Sequence, residues 1–327
     1  MISIVICHRN ITLLNSLKES INETIGVKHE LIIIDNSQNK FSICSAYNEG
    51  VRQAKYDIIC FTHEDILFHT NNWGEKVIAH FVDPQVGMIG VAGGMSQSGI
   101  PSAWWFNNYF AKSARNLLMK SAAKKQEKLY QYYSNPFNDS NKTEVIIVDG
   151  LWFCIRKSLL NKISFDEKTF SGFHLYDADI SMQANQLAKN YVVFNIFIEH
   201  FWSGSISKKY YSDLLTFANK WASQLPVQTG QIEADYMDKY NFHALRALIL
   251  EMKTKNYSNE FIRELIQKYL HTISKGAYAK WYLCYFYLSK KIGYANANRV
   301  FSRLEKLGGF SKVKNHTIKM FIEKNVA

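Results

Sequence analysis

Short apolar runs alternate with helical patterns through the first two hundred residues, and no other feature constrains the fold as strongly. Runs at residues 2–7, 29–35 and 57–62 have the length and composition of β-strands. The segments between them, residues 10–25 and 42–55, repeat apolar residues at helical spacing. This β-α-β-α-β order predicts an α/β fold, with a mostly parallel sheet and helices packed against it.

Two later segments extend the predicted sheet, and an insertion separates them. Residues 86–94 and 144–160 each contain a further apolar strand, and a helix begins at the end of the second segment. Residues 101–140 are irregular, with a basic helical pattern at 111–133. An insertion of this length is typical of a lid or an acceptor-side element. Residues 191–205 complete this half of the chain.

The balance of charge changes after about residue 206. Residues 1–206 hold 19 Lys and Arg against 19 Asp and Glu, so the whole formal charge of +11 lies in residues 207–327. The second region is helical in pattern, and we expect a basic helical C-terminal domain after an α/β domain over 1–206. No nucleic-acid-binding motif accompanies the charge, so we expect no nucleic-acid partner.

Two aromatic segments each allow two interpretations. Residues 276–293 mix aromatic side chains with lysines, which suits a helix lying on anionic lipid beside a polyprenyl-linked acceptor. An ordinary helical subdomain with an aromatic core and solvated lysines explains the same pattern. Trp104 and Trp105 either contact an acceptor or pack the insertion onto the sheet.

The cysteines and the absence of long apolar runs indicate a cytoplasmic protein. The five cysteines are odd in number and have no paired spacing, which favours reduced thiols. No run of about 18 apolar residues is present, so we expect no membrane-spanning helix. The opening residues 1–7 have the pattern of a first strand rather than of a secretory leader.

Acidic and imidazole side chains stand where two predicted strands end. Asp35 follows the second strand, and His63, Glu64 and Asp65 follow the third. Ligands of open parallel sheets bind beyond these carboxyl ends, so we expect a binding site there. If the chain stays extended, His63 and Asp65 share one face and Glu64 points away from it. A helix cap or a turn is the alternative interpretation of a lone acid in this position.

A second polar group lies in "FSGFHLYDADISMQANQLA", residues 170–188. A glycine-containing loop leads to Asp177 and Asp179, and an amphipathic helix follows. Helix N-capping explains one of these acids better than both. His200 lies in an apolar strand, where a buried core histidine is the simpler interpretation of the residue on its own.

Several common motifs are missing from the sequence. "GVAGG" (90–94) does not follow the first strand and lacks the G-x-G-x-x-G spacing of dinucleotide-binding loops. The sequence also contains no G-x-x-x-x-G-K-[ST] phosphate loop, no C-x-x-C pair and no G-x-S-x-G nucleophile turn. These absences argue against a nicotinamide enzyme, a P-loop NTPase and a serine hydrolase.

The order of the polar segments resembles the family 2-type glycosyltransferases with the GT-A fold, and among them a group that builds bacterial surface polysaccharides. The resemblance covers about residues 1–206. It is carried by seven segments in order: "SIVICHRN", "HELIIIDNSQ", "SICSAYNEGVRQAKYDIICFTHEDILF", "VGMIGVAGG", "VDGLWFCIRKSLL", "FDEKTFSGFHLYDADISMQA" and "IEHFWSGS".

This resemblance implies an inverting, metal-dependent transferase. It would move a sugar from a nucleoside-diphosphate donor, preferably a UDP-sugar, to a hydroxyl of a glycan or polyprenyl-linked acceptor. Contact with the cytoplasmic face of the inner membrane depends on which of the two interpretations of residues 276–293 holds. A non-catalytic GT-A-like module that binds nucleotide-sugar or glycan is the alternative. A nucleotidyltransferase is less well supported, because no Gly-rich loop with Lys or Arg follows the first strand.

The resemblance also assigns roles to individual residues. Asp177 is the expected catalytic base, with Asp179 as the rival candidate. Asp65 and His200 are the expected ligands of Mn²⁺ or Mg²⁺, and His63 is a further candidate ligand. The chain departs from the family pattern where His63 replaces the first Asp of the Asp-x-Asp motif and where Tyr176 replaces a Glu. The expected nucleotide-sugar contacts are Cys7, His8, Arg9, Asp35, His63, Glu64, Asp149 and Gly150.

Overall fold

The computed structural model divides into two compact units, Met1–Gln97 with Ala103–Ile232, and Ser98–Ser102 with Glu233–Ala327. The division after Ile232 comes later in the chain than the boundary at 206 that the sequence predicts. The described residues, to which every structural statement below refers, are 1–105, 112–121, 128–138, 141–202, 207–230, 232–233, 236–273, 285, 288–289 and 291–306.

A seven-stranded central sheet forms the core of the first unit. Its strands are β1 (Ile2–His8), β2 (His29–Asp35), β3 (Ile58–Thr62), β5 (Val86–Gly90), β10 (Lys142–Val145), β12 (Trp152–Arg156) and β13 (Lys189–Val193). They lie in the order β10-β13-β5-β12-β3-β1-β2. β1 is parallel to both β2 and β3, and β13 is parallel to β5. The predicted α/β fold is therefore confirmed, with β12 and β10 as the antiparallel members.

The first two helices begin where side-chain oxygens replace the missing backbone partners. Asn10 accepts hydrogen bonds from two backbone amides at the start of α1 (Ile11–Thr24). Ser42 does the same for one amide of α2 (Ile43–Gln53). Caps of this kind each stabilise a helix by about 1 kcal/mol. Each helix carries the chain back to the start of the next parallel strand, so the ends of β1, β2 and β3 meet at one edge.

A second sheet is built from shorter strands. It contains β4 (Ile66–Phe68), β6 (Ala92–Gly94), β8 (Ser113–Ser121), β11 (Ile147–Val148) and β14 (Ile198–Trp202) in the order β11-β6-β8-β14-β4. A sixth strand, β9 (Lys128–Ser134), pairs with β8. The antiparallel pairing of β14 with β4 sets His200 opposite Ile66. That register brings a histidine from late in the chain beside the end of β3.

The helical pattern predicted at 111–133 is wrong for the described residues of this segment. They form the antiparallel pair β8 and β9, and β8 also pairs with β14 and β6. Strand partners along both edges of β8 satisfy its backbone, and such tertiary pairing overrides local preference. The side chain of Asn116 anchors the segment further, because its amide donates to the carbonyls of Phe194 and Ile196 at 2.9 and 2.8 Å.

The two members of the Trp104–Trp105 pair differ in their contacts. Trp104 is buried, and the guanidinium of Arg115 lies 4.9 Å from its ring centroid. Trp105 is partly buried and stacks with Tyr210 at 6.3 Å. Packing against the insertion therefore accounts for Trp104.

The remaining strands and helices complete the two units. In the first unit these are α3 (Trp73–His80), α4 (Lys157–Leu160), α5 (Tyr176–Asn185), α6 (Lys208–Lys220), and the short antiparallel pair β7 (Ser96–Gln97) and β15 (Val227–Gln228). In the second unit they are α7 (Tyr236–Thr254), α8 (Asn259–Ile273) and α9 (Tyr294–Lys306).

The described elements beyond Glu233 are helices, as the sequence predicts. Among the described helices, none combines the length and the apolar character needed to cross a bilayer. Most of the aromatic and basic segment at 276–293 lies outside the described residues.

Candidate active site

A cavity of about 310 Å³ opens where β1, β2 and β3 end. The parallel register pairs His8 with Asp35, so the chain segments that follow these strands line the cavity together. Residues that line it include Cys7, Arg9, His63, Glu64, Asp65 and Phe173. The sequence predicted all of these except Phe173. The carboxyl ends of the strands are where a ligand site is expected in this kind of sheet.

His63, Asp65 and His200 form a compact cluster at the edge of the cavity. One potential ligand atom from each residue lies within 4.8 Å of the others. Asp65 Oδ1 is 3.5 Å from His200 Nε2 and 3.9 Å from His63 Nδ1. This oxygen is buried and has no hydrogen-bond partner among the described residues. Ligands about 2.1 Å from a shared cation lie about 3 to 4.2 Å apart, so the unpartnered oxygen and the two imidazoles fit a divalent cation.

The local field keeps this cluster in the state that binds cations. Burial lowers the pKa of His63, which makes the neutral imidazole the favoured form. Burial also acts to raise the pKa of Asp65, but the interactions with His200 and His63 outweigh it. The pKa of Asp65 is consequently lowered from its ordinary value, and the carboxylate is ionised at neutral pH. An ionised Asp65 carboxylate and a neutral His63 imidazole are the forms in which these two side chains bind a metal ion.

Tyr176 connects this cluster to Gly150. The tyrosine is 3% exposed, its hydroxyl lies 2.7 Å from His63 Nε2, and it donates to the Gly150 carbonyl at 3.0 Å. A Cβ at position 150 would lie 2.2 Å from that hydroxyl, so the close approach requires glycine. Neither contact follows from the sequence, because Tyr176 lies 113 residues from His63 and 26 residues from Gly150.

Asp177 lies on the other side of Gly150. Its Oδ2 accepts a hydrogen bond from the Gly150 amide at 3.0 Å, and it stands in the first turn of α5. Burial and the negative charge of Asp149 raise its pKa from 3.8 to about 7, against the opposing effect of hydrogen bonds from backbone amides. Asp149 itself accepts from the Leu151 amide at 3.0 Å. A carboxyl group with such a pKa exchanges protons readily near neutral pH.

Asp179 has a different environment from Asp177. It is 1% exposed, and the Lys220 ammonium lies 2.7 Å from Oδ1. Trp221 Nε1 donates to Oδ1 at 2.8 Å, and Gln183 Nε2 donates to Oδ2 at 2.8 Å. Both carboxylate oxygens therefore serve the packing of α6 against α5. These contacts explain why α6 belongs to the first unit.

The cavity brings together four of the eight predicted nucleotide-sugar residues, which are Cys7, Arg9, His63 and Glu64, and its lining does not include His8, Asp35, Asp149 or Gly150. Asp35 is exposed, lies 3.8 Å from His8 Nε2, and accepts from the Ser37 amide at 2.9 Å. Hydrogen bonds from Ser37 are the main reason why the pKa of Asp35 is lowered. Cys7 is partly exposed, and burial raises the pKa of its thiol to about 11, so the thiol is not a nucleophile at neutral pH.

Glu64 has a contact that the sequence analysis did not foresee. Its Oε2 accepts from the amides of Arg9 and Asn10 at 3.0 and 2.9 Å. The side chain thereby holds the turn between β1 and α1, which lines the cavity. Asn36 was also missed: its side chain accepts from the Phe41 amide and donates to the Phe41 carbonyl, both at 2.9 Å. An Asn directly after a strand is a common loop-forming signal and could have been noticed.

Phe173 is a second residue that the sequence analysis missed. Its ring is 49% exposed and its centroid is 5.2 Å from that of His63. An exposed aromatic ring beside a polar cluster offers a stacking surface to a ligand. Its position between Gly172 and His174, in the loop before α5, was the only available signal.

Comparisons with known proteins agree with this geometry. Residues 3–220 match the model of a family described as glycosyltransferase-like. No curated protein matches the chain in sequence. A solved structure of Staphylococcus aureus TarS 1–349 in complex with UDP is 11% identical, with a TM-score of 0.51, over 95% of this chain and 93% of that chain.

Two further solved structures are similar at lower scores. TarS 1–349 with UDP-GlcNAc is 11% identical, with a TM-score of 0.41, over 90% of this chain and 79% of that chain. GalNAc-T7 with UDP, GalNAc and Mn²⁺ is 11% identical, with a TM-score of 0.44, over 84% of this chain and 57% of that chain. Since the family match extends over more than half of the residues, the chain belongs to the glycosyltransferase-like family and is of the family 2 type with the GT-A fold.

Proposed function

We propose that the protein is an inverting, metal-dependent glycosyltransferase that uses a nucleoside-diphosphate sugar. The observation that carries the proposal is the meeting of two chemical groups at Gly150. Its amide donates to Asp177, and its carbonyl accepts from Tyr176, which contacts His63 of the cation-binding cluster. A proton acceptor and a cation site, here connected through Gly150 and Tyr176, are the two groups that glycosyl transfer needs.

The cluster of His63, Asp65 and His200 is the proposed cation site. A divalent cation held there would act as a Lewis acid and offset the charge that develops on the departing diphosphate. The residues themselves provide one ionised carboxylate oxygen and two imidazole nitrogens, held by β14 and by the segment after β3. Mn²⁺ and Mg²⁺ are the proposed occupants.

Asp177 is the proposed base. An acceptor hydroxyl is a weak nucleophile until its proton is removed, and a positioned base contributes about 10²–10⁴-fold to such a step. The pKa of about 7 matches this task at neutral pH, whereas both oxygens of Asp179 are occupied by Lys220, Trp221 and Gln183. These contacts favour Asp177 over Asp179. One base without a covalent nucleophile supports single displacement with inversion at the anomeric carbon.

The donor would lie between the mouth of the cavity and the cluster. Cys7, Arg9 and Glu64 line the cavity, and Asp35 lies beside His8 where β1 and β2 end. UDP is the proposed nucleotide, in keeping with the UDP complex of the similar TarS structure. The proposed acceptor is a glycan or a polyprenyl-linked oligosaccharide of bacterial surface polysaccharide, at the cytoplasmic face of the membrane. We propose the residues from Glu233 onward as the acceptor- or membrane-side part.

Calorimetry with UDP and with GDP, in the presence and absence of Mn²⁺, tests the site. We expect Mn²⁺ to strengthen nucleotide binding to the wild-type protein and to have no such effect in Asp65→Asn. Asp57→Asn is the matched control, because Asp57 is exposed and precedes the other end of the same strand. If the wild-type protein binds nucleotide with the same affinity in the presence and absence of Mn²⁺, the metal-dependent site is refuted.

Donor hydrolysis separates an enzyme from a binding module. We expect slow release of sugar from the donor by the wild-type protein, and loss of this activity in Asp177→Asn while donor binding persists. A wild-type protein that binds the donor but never hydrolyses or transfers its sugar would support the non-catalytic alternative. Loss of turnover in Asp179→Asn with full activity of Asp177→Asn would contradict the choice of base.

A further inference from the structure

We propose that Tyr176 is a positioning residue that holds His63 in the one tautomer able to bind a cation through Nδ1. This inference rests on the proposed cation site of His63, Asp65 and His200. An ionised carboxylate can bind a cation through either of its two oxygens. A neutral imidazole offers only one of its two nitrogens, so its tautomer must be set by another group.

The hydrogen bonds of Tyr176 determine where the imidazole proton lies. A tyrosine hydroxyl has a single proton, and the Gly150 carbonyl at 3.0 Å can only accept it. With that proton given to Gly150, the hydroxyl accepts toward His63 Nε2 at 2.7 Å, and in the proposed arrangement Nε2 carries the imidazole proton. The other nitrogen, Nδ1, is then unprotonated, and it is the nitrogen that lies 3.9 Å from Asp65 Oδ1.

The surroundings of Tyr176 keep its hydroxyl in place. The ring is buried against Tyr47, with centroids 5.6 Å apart in an edge-to-face arrangement, and against Phe165 at 6.5 Å. Gly150 has no side chain where a Cβ would lie 2.2 Å from the hydroxyl. The Tyr176 hydroxyl, which accepts the His63 proton, is thus in place before a cation binds. Groups that hold a metal-binding histidine in this way raise its affinity for the metal.

His200 provides a contrast within the same cluster. Its Nε2 faces Asp65 at 3.5 Å, but its Nδ1 is buried and has no hydrogen-bond partner among the described residues. No described group sets the tautomer of His200 in the way that Tyr176 sets that of His63. Removal of the Tyr176 hydroxyl should therefore change the tautomer of one cluster histidine and not of the other.

The first test is nuclear magnetic resonance of the metal-free protein with ¹⁵N-labelled histidine at pH 8. We expect His63 to be protonated at Nε2 in the wild-type protein. His80 is the internal reference, since its Nε2 lies 2.9 Å from the Asn195 side-chain oxygen and its ring has no contact with Tyr176 among the described residues. A wild-type His63 protonated at Nδ1 would overturn the proposal without the need for any variant.

The second test compares Tyr176→Phe with the wild-type protein. We expect the His63 signals to show loss of the single tautomer, the His80 signals to stay unchanged, and Mn²⁺ affinity by calorimetry to fall about 10–100-fold. Tyr191→Phe is the matched control, because it removes a hydroxyl from a buried tyrosine on β13 and should leave Mn²⁺ affinity unchanged. A Tyr176→Phe protein with the wild-type tautomer and wild-type Mn²⁺ affinity would overturn the proposal.

These readouts separate the inference from the proposed function. The tautomer is measured without metal, nucleotide or sugar, so it stands or falls on the Tyr176 contacts alone. Failure of the wild-type protein to bind Mn²⁺ would refute the cation site and, with it, the role given to Tyr176. Mn²⁺ binding that depends on Tyr176 without any sugar transfer would uphold the inference and refute the transferase.

Discussion

Asp177→Asn should make the protein more stable above neutral pH while it removes activity. A carboxyl group with a pKa of about 7 in the folded protein and 3.8 as its ordinary value keeps its proton in the native state after the unfolded chain has lost it. Between these two pH values the folded state binds more protons, so the free energy of unfolding falls as pH rises. The side-chain amide that the substitution introduces never ionises and avoids this loss.

The magnitude follows from the size of the shift. At about 1.36 kcal/mol per pKa unit, the loss amounts to at most about 4 kcal/mol at pH 8 and about 1.5 kcal/mol at pH 5. It vanishes below pH 3.8, where the carboxyl group is protonated in both states. Weaker hydrogen bonds from the Gly150 amide to the new side chain reduce the gain, so the measured stabilisation should lie below these limits.

Urea denaturation of metal-free protein at pH 5 and pH 8 measures the effect. We expect Asp177→Asn to exceed the wild-type protein in stability at pH 8, and the difference to shrink at pH 5. The exposed Asp57→Asn variant should show no comparable dependence on pH. A variant as stable as the wild-type protein at pH 8, or a difference equal at both pH values, would refute the reasoning.

Three further expectations concern the same site. Asp149→Asn removes the negative charge that helps to raise the pKa of Asp177, so the pH at which donor hydrolysis reaches half of its maximum should shift downward; an unchanged pH profile would contradict this. Asp179→Asn breaks a buried ion pair and should cost about 3–5 kcal/mol in urea denaturation, with turnover retained per folded molecule; a loss of turnover without a loss of stability would count against it. Two imidazoles favour Mn²⁺ over Mg²⁺, so competitive calorimetry should show tighter Mn²⁺ binding that weakens in His63→Ala, and equal affinities would argue against nitrogen ligation.

Local sequence patterns were sufficient for the central sheet and for the location of the site. Apolar strands of five to seven residues separated by helical periods indicated β1, β2 and β3, and the acids at their ends marked the cavity. The same kind of pattern failed for Ser113–Ser121, because its partner strand Ile198–Trp202 comes about eighty residues later. A local window contains no information about that pairing.

The roles within the candidate site depended on contacts that are distant in sequence. Asp177 and Asp179 are two residues apart and equally acidic, so the sequence could not decide between them. The difference arises from Lys220 and Trp221, which belong to or follow α6 and occupy only Asp179. The packing of α6 against α5 is what gives the two acids different environments, and this packing is not encoded in the local sequence around them.

The three residues that follow β3 contribute both to the cation-binding cluster and to the turn between β1 and α1. His63 and Asp65 face the cluster, while Glu64 between them holds the backbone of Arg9 and Asn10. Any shift of this tripeptide moves the cation ligands and the wall of the nucleotide cavity together. The two occupants should consequently be thermodynamically linked, with each raising the affinity of the other by the same factor.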